Sequence, residues 1–180
     1  MARMVKKTMN ESFSGHDIPA LVNRLADALQ QQGRMMATAE SCTGGLIAGA
    51  CTDLSGSSNW FERGFVTYSN TAKSELLGVE PAVIARHGAV SEEVARAMAE
   101  GALARSPARC SVAVTGIAGP GGATPGKPVG TVWLAIALRG LPTHAERLQL
   151  VGDRATIREE TVRRAVHRLV HLAAALPAQV

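Results

Sequence analysis

The run Cys110-Ser111-Val112-Ala113-Val114 constrains the fold of this chain more than any other segment, because it offers no polar face. A strand covered on one side alternates apolar with polar residues, whereas a continuous apolar run needs cover on both faces. Helices are therefore expected on both sides of a sheet, as an α/β fold in a three-layer α/β/α sandwich. The rest of the chain supplies the parts. Asp17 can cap a helix whose apolar positions Ile18, Leu21, Val22, Leu25 and Leu29 follow helical spacing and stop at Gly33. Met35-Met36-Ala37 reads as a short strand, 46–51 as an apolar helix, and 53–58 as a loop. A strand is expected at 64–68, a helix from Asn70 through Lys73, Leu76 and Leu77, and another at 81–87. Ser91-Glu92-Glu93 opens a longer helix. Strand candidates at 129–138 and 146–151, joined by a turn at Gly140-Leu141-Pro142, form a hairpin, so the central sheet is expected to be mixed, mostly parallel. A final helix is expected over 155–176.

With 180 residues, one domain at 17–180 is expected after a polar, flexible extension at 1–16. The net charge of +4 comes largely from Arg3, Lys6, Lys7 and a group near the end, Arg158, Arg163, Arg164 and Arg168. Aromatic residues make up only 3% and do not alternate with the basic ones, which argues against nucleic acid as a partner. Three cysteines, an odd number without metal-ligand spacing, suit a reducing compartment. His167 and His171 stand four apart on a helix but lack a His-Glu-x-x-His pattern, so packing is the expected role and no metal is expected. No apolar run reaches membrane-spanning length, and the basic start lacks a signal-peptide core. A cytoplasmic protein with no membrane partner is the expectation.

Three segments carry chemistry. Thr38-Ala39-Glu40-Ser41-Cys42-Thr43-Gly44-Gly45 puts a serine in a strand-to-helix turn, facing the free N–H groups of a helix start. That setting suits a bound phosphate or a nucleophile beside an oxyanion hole; Ser41 or Thr43 as a simple cap is the structural alternative. Tyr68-Ser69-Asn70-Thr71-Ala72-Lys73 joins the only tyrosine, at a predicted strand end, to a lysine one turn into a helix. A desolvated lysine can act as a base for a serine without any histidine, although a lone helical lysine is ordinarily a solvated charge. Thr115-Gly116-Ile117-Ala118-Gly119-Pro120-Gly121-Gly122 follows a buried strand and can bring backbone N–H groups to a ligand, but it matches neither the P-loop nor the dinucleotide fingerprint. Gly152-Asp153-Arg154 offers a cap and a guanidinium fork for an anion.

Five segments in order resemble the nicotinamide-nucleotide amidases (nicotinamide mononucleotide deamidases), the family of the carboxy-terminal domain of the competence/damage-inducible protein CinA, in its stand-alone form. They are Ala39-Glu40-Ser41-Cys42-Thr43-Gly44-Gly45, the stretch 57–70 with Lys73, His87-Gly88-Ala89-Val90-Ser91, Thr115 to Pro120 with Lys127-Pro128-Val129-Gly130-Thr131-Val132, and Gly152-Asp153-Arg154. The resemblance covers roughly 17–176. It implies hydrolysis of the carboxamide of nicotinamide mononucleotide (NMN), giving nicotinic acid mononucleotide and ammonia, without a metal or organic cofactor. It also implies a homodimer or higher homo-oligomer. Carried over by position, the nucleophile falls on Ser41, the base on Lys73 and a supporting hydroxyl on Tyr68. Thr115, Gly116 and Gly119 would line the substrate site, with Arg154 at the ligand's charged end. Thr43, Gly44 and Gly45 would meet either the oxyanion or the phosphate, and in the second case the oxyanion falls to the 116–119 loop. The competing class is a non-catalytic pyridine-nucleotide-binding or interaction module, which would need no Ser41–Tyr68–Lys73 set. Hydrolysis of another amide would keep the chemistry and change the pocket. Ammonia release separates these readings.

Overall fold

The computed structural model describes residues 17–175. The extension expected at 1–16 and position 176, where the final helix was expected to end, lie outside them. The Asp17 carboxylate accepts from the Ala20 amide at 2.8 Å and starts α1 (Ile18–Gln31), which buries Leu21, Val22, Leu25, Ala26 and Leu29. There follow β1 (Met36–Glu40), α2 (Leu46–Thr52), β2 (Phe61–Val66), α3 (Asn70–Leu77), α4 (Pro81–His87) and α5 (Glu92–Ala104). The second half holds β3 (Cys110–Gly116), β4 (Thr131–Leu138), β5 (His144–Gln149) and α6 (Arg154–Ala175). Two boundaries move inward to chemistry. Strand β1 continues past Ala37 to Glu40, so Thr38, Ala39 and Glu40 of the expected turn are strand, and β2 begins at Phe61 and ends at Val66, leaving Tyr68 beyond it.

The sheet order is β2-β1-β3-β4-β5. Strand β1 pairs in parallel with both β2 and β3, while β4 is antiparallel to β3 and β5. All strands but β4 thus share one direction, and the hairpin is the expected β4–β5 pair. The carboxyl ends of β1, β2 and β3 open on the same edge, where open α/β sheets place their ligands.

Side-chain size divides the two faces. On one face Met36, Val112, Val114, Val132, Leu134 and Ile136 pack against α1, α2 and α6. On the other, Ala37, Ala39, Ala113, Ala135 and Ala137 meet α5, which contributes Ala95, Met98, Ala99 and Ala102. Alternation along β1, β3 and β4 sends most large residues one way and alanines the other, with Trp133 of β4 and Phe65 of β2 bordering the alanine face. The alanine face lets α5 lie close to the sheet, and α3 packs against α5 in turn. A Cβ at Gly101 of α5 would collide with the Leu77 carbonyl oxygen of α3. Helix α3 is thereby seated at a fixed height over the strand ends, and α3 carries Lys73.

Candidate active site

Ser41 is the first residue past β1 and is held by the sheet's own hydrogen bonds. Its amide donates to the Val114 carbonyl of β3 at 3.0 Å, and the Thr67 amide donates to the Glu40 carbonyl at 2.8 Å. The turn therefore sits between two strands and not on a free loop. Lys73 lies in the first turn of α3, where Ser69 caps the helix by accepting from the Ala72 amide at 3.0 Å. From there its side chain runs back under the strand ends. Lys73 Nζ stands 3.1 Å from Ser41 Oγ, 2.9 Å from the Thr67 carbonyl oxygen and 3.5 Å from that of Tyr68.

Lys73 is 1% exposed and Ser41 is 8% exposed. The partners of the amine are one hydroxyl and two carbonyl oxygens, all neutral, so no carboxylate offsets the loss of water. Burial accordingly lowers the Lys73 pKa below the ordinary amine range, opposed only by the Cys42 thiol. That opposition is inactive near neutral pH, because burial pushes the Cys42 thiol up to about 12 and keeps it uncharged. Cys42 is thus held as an unreactive thiol near neutral pH. An amine with a lowered pKa beside a hydroxyl is an arrangement that can serve a lysine base.

Glu40 is the residue that sequence reasoning missed. It is 0% exposed, and its carboxylate accepts from Thr43 Oγ1 at 2.6 Å, from the Gly45 and Ile47 amides at 3.0 Å each, and from the Ala48 amide at 2.8 Å. A buried anion therefore already occupies the start of α2, where a phosphate would otherwise lie. Thr43 and Gly45 are committed to Glu40, and the Gly44 amide donates to the Ser41 carbonyl at 3.1 Å. The amides of Cys42 and Thr43 make no backbone hydrogen bond in the turn and border the Cys42 thiol. Capping rules look for Ser, Thr, Asp or Asn at the cap position, not for a glutamate reaching forward from a strand. Arg158, one turn into α6, also went unsingled; its Nη2 donates to the Thr43 carbonyl at 2.8 Å. An apolar cavity bounded by α1, α2 and α6 meets this turn only through Gly45 and Arg158, and Ser41 and Lys73 do not line it.

The remaining expected residues divide. Arg154 opens α6 beside the capping Asp153, whose Oδ1 accepts from the Thr156 amide at 2.8 Å. Its Nη1 donates to the Gly119 carbonyl at 2.9 Å and its Nη2 to the Tyr68 hydroxyl at 3.0 Å. Arg154, Tyr68 and Gly119 are thus brought together, with the Tyr68 hydroxyl bonded to Arg154 and to neither Ser41 nor Lys73. Thr115 is buried and donates to the Ala89 carbonyl at 2.8 Å, tying the end of β3 to the 88–91 loop. At Gly116 an added Cβ would come within 2.7 Å of Val132 Cγ2, so its small size serves the β3–β4 contact. His167 and His171 face each other with Nε2 atoms 3.0 Å apart, and burial lowers the His167 pKa to about 4. No group of three metal-binding side chains occurs among the described residues. No helix among them is long and apolar enough to cross a membrane.

Comparison with known proteins places this architecture. The family model described as the CinA C-terminal domain matches residues 19–173. The chain belongs to this family. Among CinA-family relatives, a "CinA-like protein" of Akkermansia muciniphila is 57% identical over 142 residues, covering 79% of this chain and 34% of the relative. The chain thus spans about a third of the length of such relatives. The "Nicotinamide-nucleotide amidohydrolase PncC" of Pseudomonas putida is 50% identical over 155 residues, covering 86% of this chain and 96% of that protein. The crystal structure of a CinA superfamily protein from Escherichia coli superposes with a TM-score of 0.89 at 35% identity, over 96% of this chain and 99% of that one. The three-layer fold with a mixed sheet is accordingly that of the CinA superfamily.

Proposed function

We propose that this chain hydrolyses the carboxamide of nicotinamide mononucleotide, releasing nicotinic acid mononucleotide and ammonia. The observation that carries the proposal is the 3.1 Å approach of a buried, carboxylate-free lysine to a hydroxyl at the carboxyl edge of the sheet. The Pseudomonas putida relative, matched over nearly its whole length, is named for this reaction, and that supports the choice of substrate.

In the proposed mechanism Ser41 Oγ attacks the carboxamide carbon while its proton passes to Lys73 Nζ. The carbonyl π pair moves to oxygen, and the amides of Cys42 and Thr43 donate to the resulting oxyanion. A single such donor is worth about 3–4 kcal/mol in other hydrolases. The Lys73 ammonium then protonates the departing nitrogen, the C–N bond breaks, and ammonia leaves an ester on Ser41. Water attacks the ester, its proton goes to Lys73 and from there to Ser41 Oγ, and the acid is released. The pyridinium charge of the substrate adds to the pressure that keeps Lys73 neutral. Because Glu40 fills the start of α2, the phosphate is assigned to Arg154 at the other end of the site.

The test is ammonia release from NMN by the purified protein, measured beside Ser41→Ala. The wild type should turn over and the variant should lose nearly all activity with an unchanged melting profile. Substantial turnover by Ser41→Ala would remove Ser41 from the nucleophile's role.

A further inference from the structure

We propose that Tyr68 is the platform against which the cationic ring of the substrate lies, and that its hydroxyl takes no part in moving the Ser41 proton. The proposal rests on the amidohydrolase reading of the site. Its first support is a count of positions around the amine. The Lys73 nitrogen is tetrahedral, with one position taken by its own Cε. The Thr67 carbonyl, the Tyr68 carbonyl and Ser41 Oγ, at 2.9, 3.5 and 3.1 Å, take the other three. That set of partners is complete, so a bridging phenol has no vacant position to fill.

The second support is where the phenol lies. The Tyr68 hydroxyl accepts from Arg154 Nη2 at 3.0 Å, and the same guanidinium is anchored by Gly119 at 2.9 Å. The residue is therefore tied at both ends, by its backbone carbonyl beside Lys73 and by its side-chain hydroxyl at Arg154. Between these ties the residue is 62% exposed, in a chain whose only tyrosine it is. An orientated, solvent-facing aromatic ring is a receptor for a cation, since the ring face carries negative potential.

The third support is order along the site. From Lys73 outward come the base, the Tyr68 ring and the Arg154 guanidinium. From the scissile bond outward NMN carries a carboxamide, a pyridinium cation and, past the ribose, a phosphate. Each group meets its chemical complement in the same sequence, and the ring meets Tyr68.

Two variants separate platform from proton relay. Tyr68→Phe keeps the ring face and removes the hydroxyl; kcat on NMN should fall no more than a few-fold, with a modest rise in KM as the ring loses its tie to Arg154. Loss of a proton relay would instead lower kcat about a hundredfold or more, and that result would overturn the proposal. Tyr68→Leu keeps bulk and removes the π system; KM for NMN should rise roughly tenfold with kcat little changed. A second readout needs no turnover. NMN and its reduced form, whose ring is neutral, are titrated calorimetrically into Ser41→Ala protein. Preference for the cationic form should persist with Tyr68→Phe added and disappear with Tyr68→Leu. An equal preference in both double variants, or no binding of NMN at all, would refute the platform. Absence of ammonia release by the wild type would count against the reaction alone, and the titration would still decide the role of Tyr68.

Discussion

Replacing Glu40 by glutamine tests whether the buried carboxylate is what holds the serine turn. In the wild type Oε2 accepts three hydrogen bonds, from Thr43 Oγ1, Gly45 N and Ile47 N, and Oε1 accepts one from Ala48 N. A glutamine amide placed with its oxygen at the Oε2 position keeps the three acceptances but turns its NH2 toward the Ala48 N–H. One buried donor then faces another, which costs about 1–3 kcal/mol. Loss of the negative charge at the start of α2 adds about 1 kcal/mol. Glu40→Gln should therefore be less stable by roughly 2–4 kcal/mol, read as a lower urea midpoint with an unchanged slope. For a chain of this size that corresponds to a fall in Tm of roughly 5–15 °C. Activity should fall as well, because the Cys42 and Thr43 amides belong to the turn that the carboxylate holds. A variant within about 0.5 kcal/mol of the wild type, the range of inconsequential surface changes, would refute the argument.

Two further perturbations follow from the same geometry. Lys73→Met should abolish ammonia release. Because the folded Lys73 pKa is lowered, the unfolded chain binds the extra proton between that value and the ordinary one near 10.4. Wild-type stability relative to Lys73→Met should therefore rise with pH across that window, and parallel stability curves would show that Lys73 is not depressed. Catalysis should show an ascending limb with its midpoint below that of free lysine. Gly101→Ala drives a methyl group into the Leu77 carbonyl at the end of α3. It should cost about 1–3 kcal/mol in denaturant unfolding and lower kcat more than it raises KM, since α3 carries the base. A neutral outcome would mean that α3 shifts without disturbing Lys73.

The order of elements was legible in the sequence because caps and periodicity are local. Asp17 and Ser91 each cap the helix expected to start there, and the helix expected from Asn70 is capped by Ser69. The start of β2 was not legible, since Phe61-Glu62-Arg63 lies on an edge strand with little burial and lacks an apolar signature. Glu40 was hidden for another reason: its four bonds reach forward three to eight residues from a strand, a pattern outside the usual cap rules. Ser41 and Lys73 lie 32 residues apart, and only the resemblance to a family joined them before the fold did. The Tyr68–Arg154 bond spans 86 residues and had no local trace.

The division of the sheet into a bulky face and an alanine face bears on how such a protein can change over time. Opposite α1, α2 and α6, leucine, isoleucine, valine and methionine can be exchanged for one another while total volume holds. Opposite α5, alanine leaves nothing to trim and little room to grow, so most exchanges must lift α5 and with it α3, which carries the lysine. Random variation should therefore accumulate on one side of the sheet, and attempts to re-engineer the pocket would do well to begin there.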